Sequence, residues 1–284
     1  MMKHFQTEDG TSLAYRDQGD GVPLLALAGL TRDSRDFDYL ERHLVDVRLI
    51  RLDSRGRGGS DWSGAATYTI AQEARDAVAL LDHLALPSAA IIGSSRGGLL
   101  GMAIAATAKH RLTGLCLNDV GPVLEQTGLE RIGRYLGVRP EGLTLAEVAD
   151  RLGATSPGFD HVPLLRWEEE AVRHFIETED GIDLTYDPSL RQGFESASAG
   201  PPADLWPLFD ACAGLPLALI RGANSDILSA ETARRMQARR PDMLYAEVPG
   251  RGHIPFLDEP EALACIRQWL AEVAPDHMSP CLQP

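Results

Sequence analysis

At 284 residues and 30.8 kDa, with 44% hydrophobic and 24% charged residues, the chain can bury a large core as one domain with an insertion. Its formal net charge of −14 argues against nucleic acid or an anionic membrane surface as the main partner. No stretch approaches the roughly 18 apolar residues of a membrane span. Met1-Met2-Lys3-His4 leads into polar residues, and the four scattered cysteines (Cys116, Cys212, Cys265, Cys281) lack C-x-x-C spacing, which points to buried or tail thiols in a cytoplasmic compartment.

In chain order, alternating segments at 3–7 and 12–17 flank Glu8-Asp9-Gly10-Thr11, a hairpin signal. Pro23 to Ala28 reads as a buried central strand, Asp36 to Val45 as a short helix and Val47 to Leu52 as a strand. Thr69-Ile70-Ala71-Gln72 has the form of a capping box. Ile70, Ala74, Ala77, Val78, Leu81 and Leu84 then recur at helical spacing, in a helix ending before Pro87.

Ala89 to Leu100 reads as a short apolar strand, a sharp turn and a helix. The turn, Gly93-Ser94-Ser95-Arg96-Gly97, has the form G-x-S-x-G. Gly93 and Gly97 lack the Cβ atoms that would collide in so tight a turn. Such a turn holds Ser95 out at the top of a sheet, above a helix N-terminus whose dipole favours a developing oxyanion. The next helix, apolar on most sides, belongs in the interior. Apolar strands alternating with helices imply a parallel sheet with crossovers.

Leu112 to Asn118 is the next predicted strand. From Val123 to Leu205 strand signals disappear, and Val123–Leu136, Leu143–Leu152 and Leu164–Ile176 read as helices. Pro216 to Arg221 returns to the sheet, followed by Asp226 and then Ser229 as an N-cap candidate. Met243 to Val248 is the last strand, His253 lies in the Gly-flanked loop after it, and Pro260 starts the last helix. Residues 275–284 read as a disordered tail.

The elbow at Ser95 and the order Ser95, Asp226, His253 resemble the α/β-hydrolase family, over roughly Phe5 to Val273. The resemblance implies an α/β-hydrolase fold with core segments 1–122 and 206–274, and a helical cap at 123–205 that covers the pocket and sets substrate choice. It implies Ser95 as nucleophile, His253 as base and Asp226 as the acid, with Asp119 as the second candidate acid, because some relatives place it after an earlier strand. The loop Ala28-Gly29-Leu30-Thr31 departs from the family's usual His-Gly, since Ala28 stands at the His. Only the backbone N–H of Leu30 is carried over as an oxyanion donor, beside that of Arg96. Asp53 to Asp61 resembles the family's D-x-R-G-x-G-x-S loop, with Asp53 and Arg55 in structural roles. The Arg96 side chain either meets an acidic substrate group or pairs with an acid such as one in the 53–61 loop. Trp167 and Trp206 are the first candidates for pocket walls, weighed against ordinary core packing.

The activity implied by the resemblance is that of a cofactor-free, metal-free serine hydrolase of a small-molecule carboxylic ester or lactone, a macrocyclic lactone included. A serine at the elbow sets aside epoxide hydrolases and haloalkane dehalogenases, which need a carboxylate there. The alternatives are a cofactor-free perhydrolase or haloperoxidase-like enzyme with the same triad, and a non-catalytic small-ligand receptor on the same fold. The oligomeric state is not legible.

Overall fold

The computed structural model describes residues 1–200 and 203–274; the tail expected at 275–284, with Cys281, lies outside the described residues. In chain order the elements are β1 (Lys3–Gln6), β2 (Ser12–Gln18), β3 (Val22–Leu27), α1 (Asp38–Glu41), β4 (Val47–Leu52), α2 (Ile70–His83), β5 (Ala89–Ser94), α3 (Arg96–Ala108) and β6 (Leu112–Asn118). Then come α4 (Gln126–Tyr135), α5 (Leu145–Thr155), α6 (Leu164–His174), β7 (Phe175–Thr178), β8 (Gly181–Leu184) and α7 (Leu190–Ser198). The chain closes with α8 (Trp206–Asp210), β9 (Leu217–Gly222), α9 (Ala230–Arg239), β10 (Leu244–Val248) and α10 (Pro260–Val273).

Eight strands form one sheet in the order β1-β2-β4-β3-β5-β6-β9-β10. The β1–β2 hairpin and the β2–β4 pair are antiparallel, and the other pairings are parallel. The central strand β5 is buried along its whole length. One apolar cluster, with Leu25, Leu80, Ile91, Leu100 and Leu117, fills one face of the sheet; a second, with Leu24, Ile92, Ile220, Ile266 and Trp269, fills the other. Helices on both faces of a mostly parallel sheet agree with the expected fold class.

Caps match the local chemistry. The Thr69 hydroxyl accepts from Gln72 N (3.1 Å), but the Gln72 amide turns to Asp76 instead of closing the box. Ser229 caps α9 and Pro260 opens α10. The short helix expected at 36–45 is shorter still, a 3₁₀ turn at Ser34–Phe37 followed by α1. Between β6 and β9 one expectation fails. The helix expected to reach Ile176 stops at His174, and Phe175 opens a two-stranded antiparallel hairpin, β7–β8, turned at Gly181 with φ 111°. Its strands are four residues long; β7 is largely exposed, and the alternation is confined to β8, where Ile182 and Leu184 are buried on either side of Asp183.

Candidate active site

The turn after β5 is forced by close approach. A Cβ on Gly97 would lie 1.9 Å from Leu27 O, and one on Gly93 would lie 2.4 Å from the Gly97 backbone. Ser95 itself sits at φ 50°, ψ −114°, a conformation non-glycine residues rarely adopt. That backbone lifts its side chain above the carboxyl end of β5, where loops from β3, β6, β9 and β10 also arrive.

His253, on the loop after β10, places Nε2 2.9 Å from Ser95 Oγ. Its Nδ1 lies 2.7 Å from Asp119 Oδ2. A carboxylate only accepts, so Nδ1–H donates to Asp119 and Nε2 is left to accept the Ser95 proton. Asp119, fully buried at the end of β6, also accepts from Gly222 N (2.9 Å) and Ser225 Oγ (2.6 Å). Three donors therefore fix the carboxylate that fixes the imidazole.

This corrects the expected acid. Asp226 does not hold the His253 ring; it forms a two-point ion pair with Arg131 of α4, at 2.6 and 3.0 Å. Burial opposes ionisation of Asp226, but the Arg131 guanidinium outweighs it and holds the carboxyl below its ordinary range. The loop after β9 turns so that Ser225, one residue earlier, faces the site. Asp119 is the second candidate by position, and nothing in the local sequence ranks it above Asp226.

The two expected wall tryptophans lie elsewhere. Trp167 packs edge-on against Phe159 of the helical segment and Phe256 of the loop after β10. Trp206 packs on Phe209, with Arg235 and Arg239 over its ring. Neither lines the small cavity, of about 40 Å³, that opens over Ser95. That cavity is walled by Gly29, Leu30, Thr31 and Arg32 of the loop after β3, by Ser95, His253 and Ile254, and by Ile132 and Tyr135 of α4. The sequence does not single out Arg32, Ile132 or Tyr135, because a loop arginine and an amphipathic helix carry no mark of a pocket.

Leu30 and Arg96, the expected oxyanion donors, flank Ser95 from the β3 loop and from the first turn of α3. Among the described residues neither backbone N–H has a protein acceptor. One buried ion-pair network ties both residues together. Arg57 Nε donates to Leu30 O (2.8 Å) and its Nη1 to Glu73 Oε1 (3.0 Å). The Arg96 guanidinium donates to both oxygens of the same Glu73 (2.8 Å each) and to Tyr68 O. Arg96 is therefore held by an acid of α2, not of the 53–61 loop, and its side chain is committed to the protein. Burial opposes ionisation of Glu73, but Arg57 and Arg96 outweigh it and hold its carboxyl below the ordinary range. Asp53 and Arg55 are structural, as expected: Asp53 accepts from Ser34 N and Gly59 N, and Arg55 pairs with Asp76 and Asp9.

Among the described residues Asp36, Glu170 and His174 bring possible metal-ligand atoms within 4.8 Å of one another. Arg32 already supplies the positive charge there, with Nη1 2.7 Å from Asp36 and 3.1 Å from Glu170. These contacts form a salt bridge joining the β3 loop to α6.

Comparison with known proteins agrees with this fold. The chain is 36% identical over 270 residues to the 3-hydroxybutyrate-oligomer hydrolase of Cupriavidus necator, covering 90% of this chain and 92% of that one. It is 27% identical over 249 residues to the 2-(acetamidomethylene)succinate hydrolase of Mesorhizobium japonicum, covering 85% of each. The crystal structure of an alpha/beta hydrolase from Novosphingobium aromaticivorans superposes with a TM-score of 0.89 at 38% identity, covering 96% of this chain and 98% of that one. The model of the alpha/beta hydrolase family matches residues 24–264, and the chain belongs to that family.

Proposed function

We propose that the protein is a serine hydrolase of carboxylic esters that works through an acyl-enzyme. The observation carrying this reading is the continuous chain Ser95 Oγ, His253 Nε2, His253 Nδ1, Asp119 Oδ2, with separations of 2.9 and 2.7 Å. As Oγ bonds to the ester carbonyl carbon, its proton passes to Nε2. The carbonyl oxygen becomes an oxyanion facing the backbone N–H groups of Leu30 and Arg96. The imidazolium is stabilised by Asp119 and returns the proton to the leaving alkoxide as the ester C–O bond breaks. Water then gives a proton to Nε2 while its oxygen bonds to the acyl carbon. The tetrahedral species collapses, releasing the acid and restoring the Ser95 hydroxyl.

For substrate class, the relative at 36% identity supports short oligomers of a hydroxy acid over macrocyclic lactones. The narrow cavity over Ser95 supports the same choice. The test is a panel of such oligomers, simple esters and large lactones on wild type and Ser95→Ala, with phosphonate labelling of Ser95. Turnover by wild type, and its loss by about three orders of magnitude or more in the variant, is the expected result. Undiminished turnover in Ser95→Ala would sink the reading. The 123–205 segment, whose α4 forms one wall of the cavity, acts on this reading as the cap that limits substrate size.

A further inference from the structure

The cavity over Ser95 has one permanently charged wall residue. No carboxylate lines it, and Arg32 is its only guanidinium among the described residues. Arg32 belongs to the same turn as the Leu30 donor, closed by Arg32 N donating to Gly29 O (3.2 Å). Its stem runs beside the nucleophile: Arg32 Cδ and Ser95 Cβ lie 3.5 and 3.8 Å from the point a Cβ on Gly29 would occupy.

The two acids that orient Arg32 use a single nitrogen. Asp36 and Glu170 both accept from Nη1, while Nε and Nη2 make no hydrogen bond to the described residues and the side chain remains a quarter exposed. An oriented guanidinium with an open edge presents two parallel N–H donors, the geometry that a carboxylate matches. A chain of net charge −14 gains nothing from this edge in solubility.

We infer that Arg32 binds a free carboxylate of the substrate, a few bonds from the scissile ester, so that the enzyme cleaves an ester of a hydroxy acid whose own carboxylate is uncapped. This rests on the ester-hydrolase reading above. In an ester dimer of a hydroxy acid the free carboxylate belongs to the leaving alcohol, so cleavage proceeds from the acid end of an oligomer. Arg32 is a specificity-determining residue by this account, and the bond broken and the proton path are those already described.

The experiment compares the 3-hydroxybutyrate ester dimer as free acid with the same dimer capped as its carboxamide, a neutral group of nearly equal size. Wild type is expected to favour the acid in kcat/KM by about tenfold to a hundredfold, the worth of one charged two-point contact. In Arg32→Met that preference collapses towards unity, and in Arg32→Lys it is partly retained. Equal kcat/KM for the two dimers in wild type overturns the inference, whether or not the variants fold. So does an undiminished preference in a folded Arg32→Met protein. Absence of any ester turnover, with no phosphonate labelling at Ser95, overturns the hydrolase reading itself; equal turnover of both dimers overturns only the role of Arg32.

Discussion

Asp119 and Asp226 both reach the neighbourhood of His253, and one hydrogen bond separates their roles. Asp119 is buried and holds Nδ1, whereas Asp226 is committed to Arg131. Asp119→Asn leaves the shape but presents an amide that favours the wrong imidazole tautomer, so kcat is expected to fall about 10³- to 10⁴-fold. Asp226→Asn should cost far less, and steady-state kinetics on one ester decides the order. Glu73 is the other residue whose loss should exceed its apparent distance from the chemistry. Glu73→Ala leaves the buried Arg57 and the partly buried Arg96 without their acid, and breaking a buried pair such as Arg57–Glu73 costs about 3–5 kcal/mol. Because the Glu73 carboxyl is held below 4.5 in the folded protein, its ion pairs contribute fully above the unfolded pKa. That contribution disappears as pH falls through the folded pKa. Urea titrations of wild type and Glu73→Gln should therefore differ most near neutral pH and converge in acid. With the network broken, the proposed oxyanion donors at Leu30 and Arg96 lose their anchor, so kcat should fall with little change in KM.

Among the elements, β5 and α3 are the most legible, and the reason is steric. Only residues without a Cβ fit where Gly97 meets Leu27 O, so G-x-S-x-G between an apolar strand and a helix is readable from sequence alone. Gly97→Ala is expected to destabilise by about 3 kcal/mol or to prevent folding, measured by thermal unfolding, because a strand carbonyl cannot yield as a flexible side chain can. The β1–β2 hairpin is equally readable from Asp9-Gly10, and α9 and α10 from Ser229 and Pro260. Elements whose identity rests on tertiary partners are not. In the β7–β8 hairpin alternation is confined to the short β8, and β8 is tied back by the adjoining Thr185 to the end of α6. Which acid serves His253 depends on how the β9 loop turns and on an arginine ninety-five residues upstream of Asp226. No local pattern encodes either.

Across the whole molecule, the segment between β6 and β9 is fastened over the site by ion pairs that bridge it to the sheet: Arg131 with Asp226, Arg32 with Glu170, and Arg166 with Asp258. Cutting the Arg131 fastening should loosen α4 without touching Ser95 or His253. Arg131→Ala is expected to raise KM and speed hydrogen exchange at 126–135, with Ser95 still labelled by phosphonate. Protonation should act the same way in wild type. Asp226 has a depressed folded pKa, so the fastening is intact above the unfolded value near 3.8 and is released only as pH falls through the lower folded value. Exchange over α4 followed from neutral pH to well below the ordinary carboxylate range checks the direction.

The residues of the proposed relay are far apart along the chain, with a separation of 134 positions from Asp119 to His253 and 158 from Ser95 to His253. A ribosome delivers the elbow well before the imidazole, which follows β10. Throughout synthesis the nascent polypeptide therefore carries an unarmed hydroxyl, and chemical competence arises in one late event when the final strand docks beside β9.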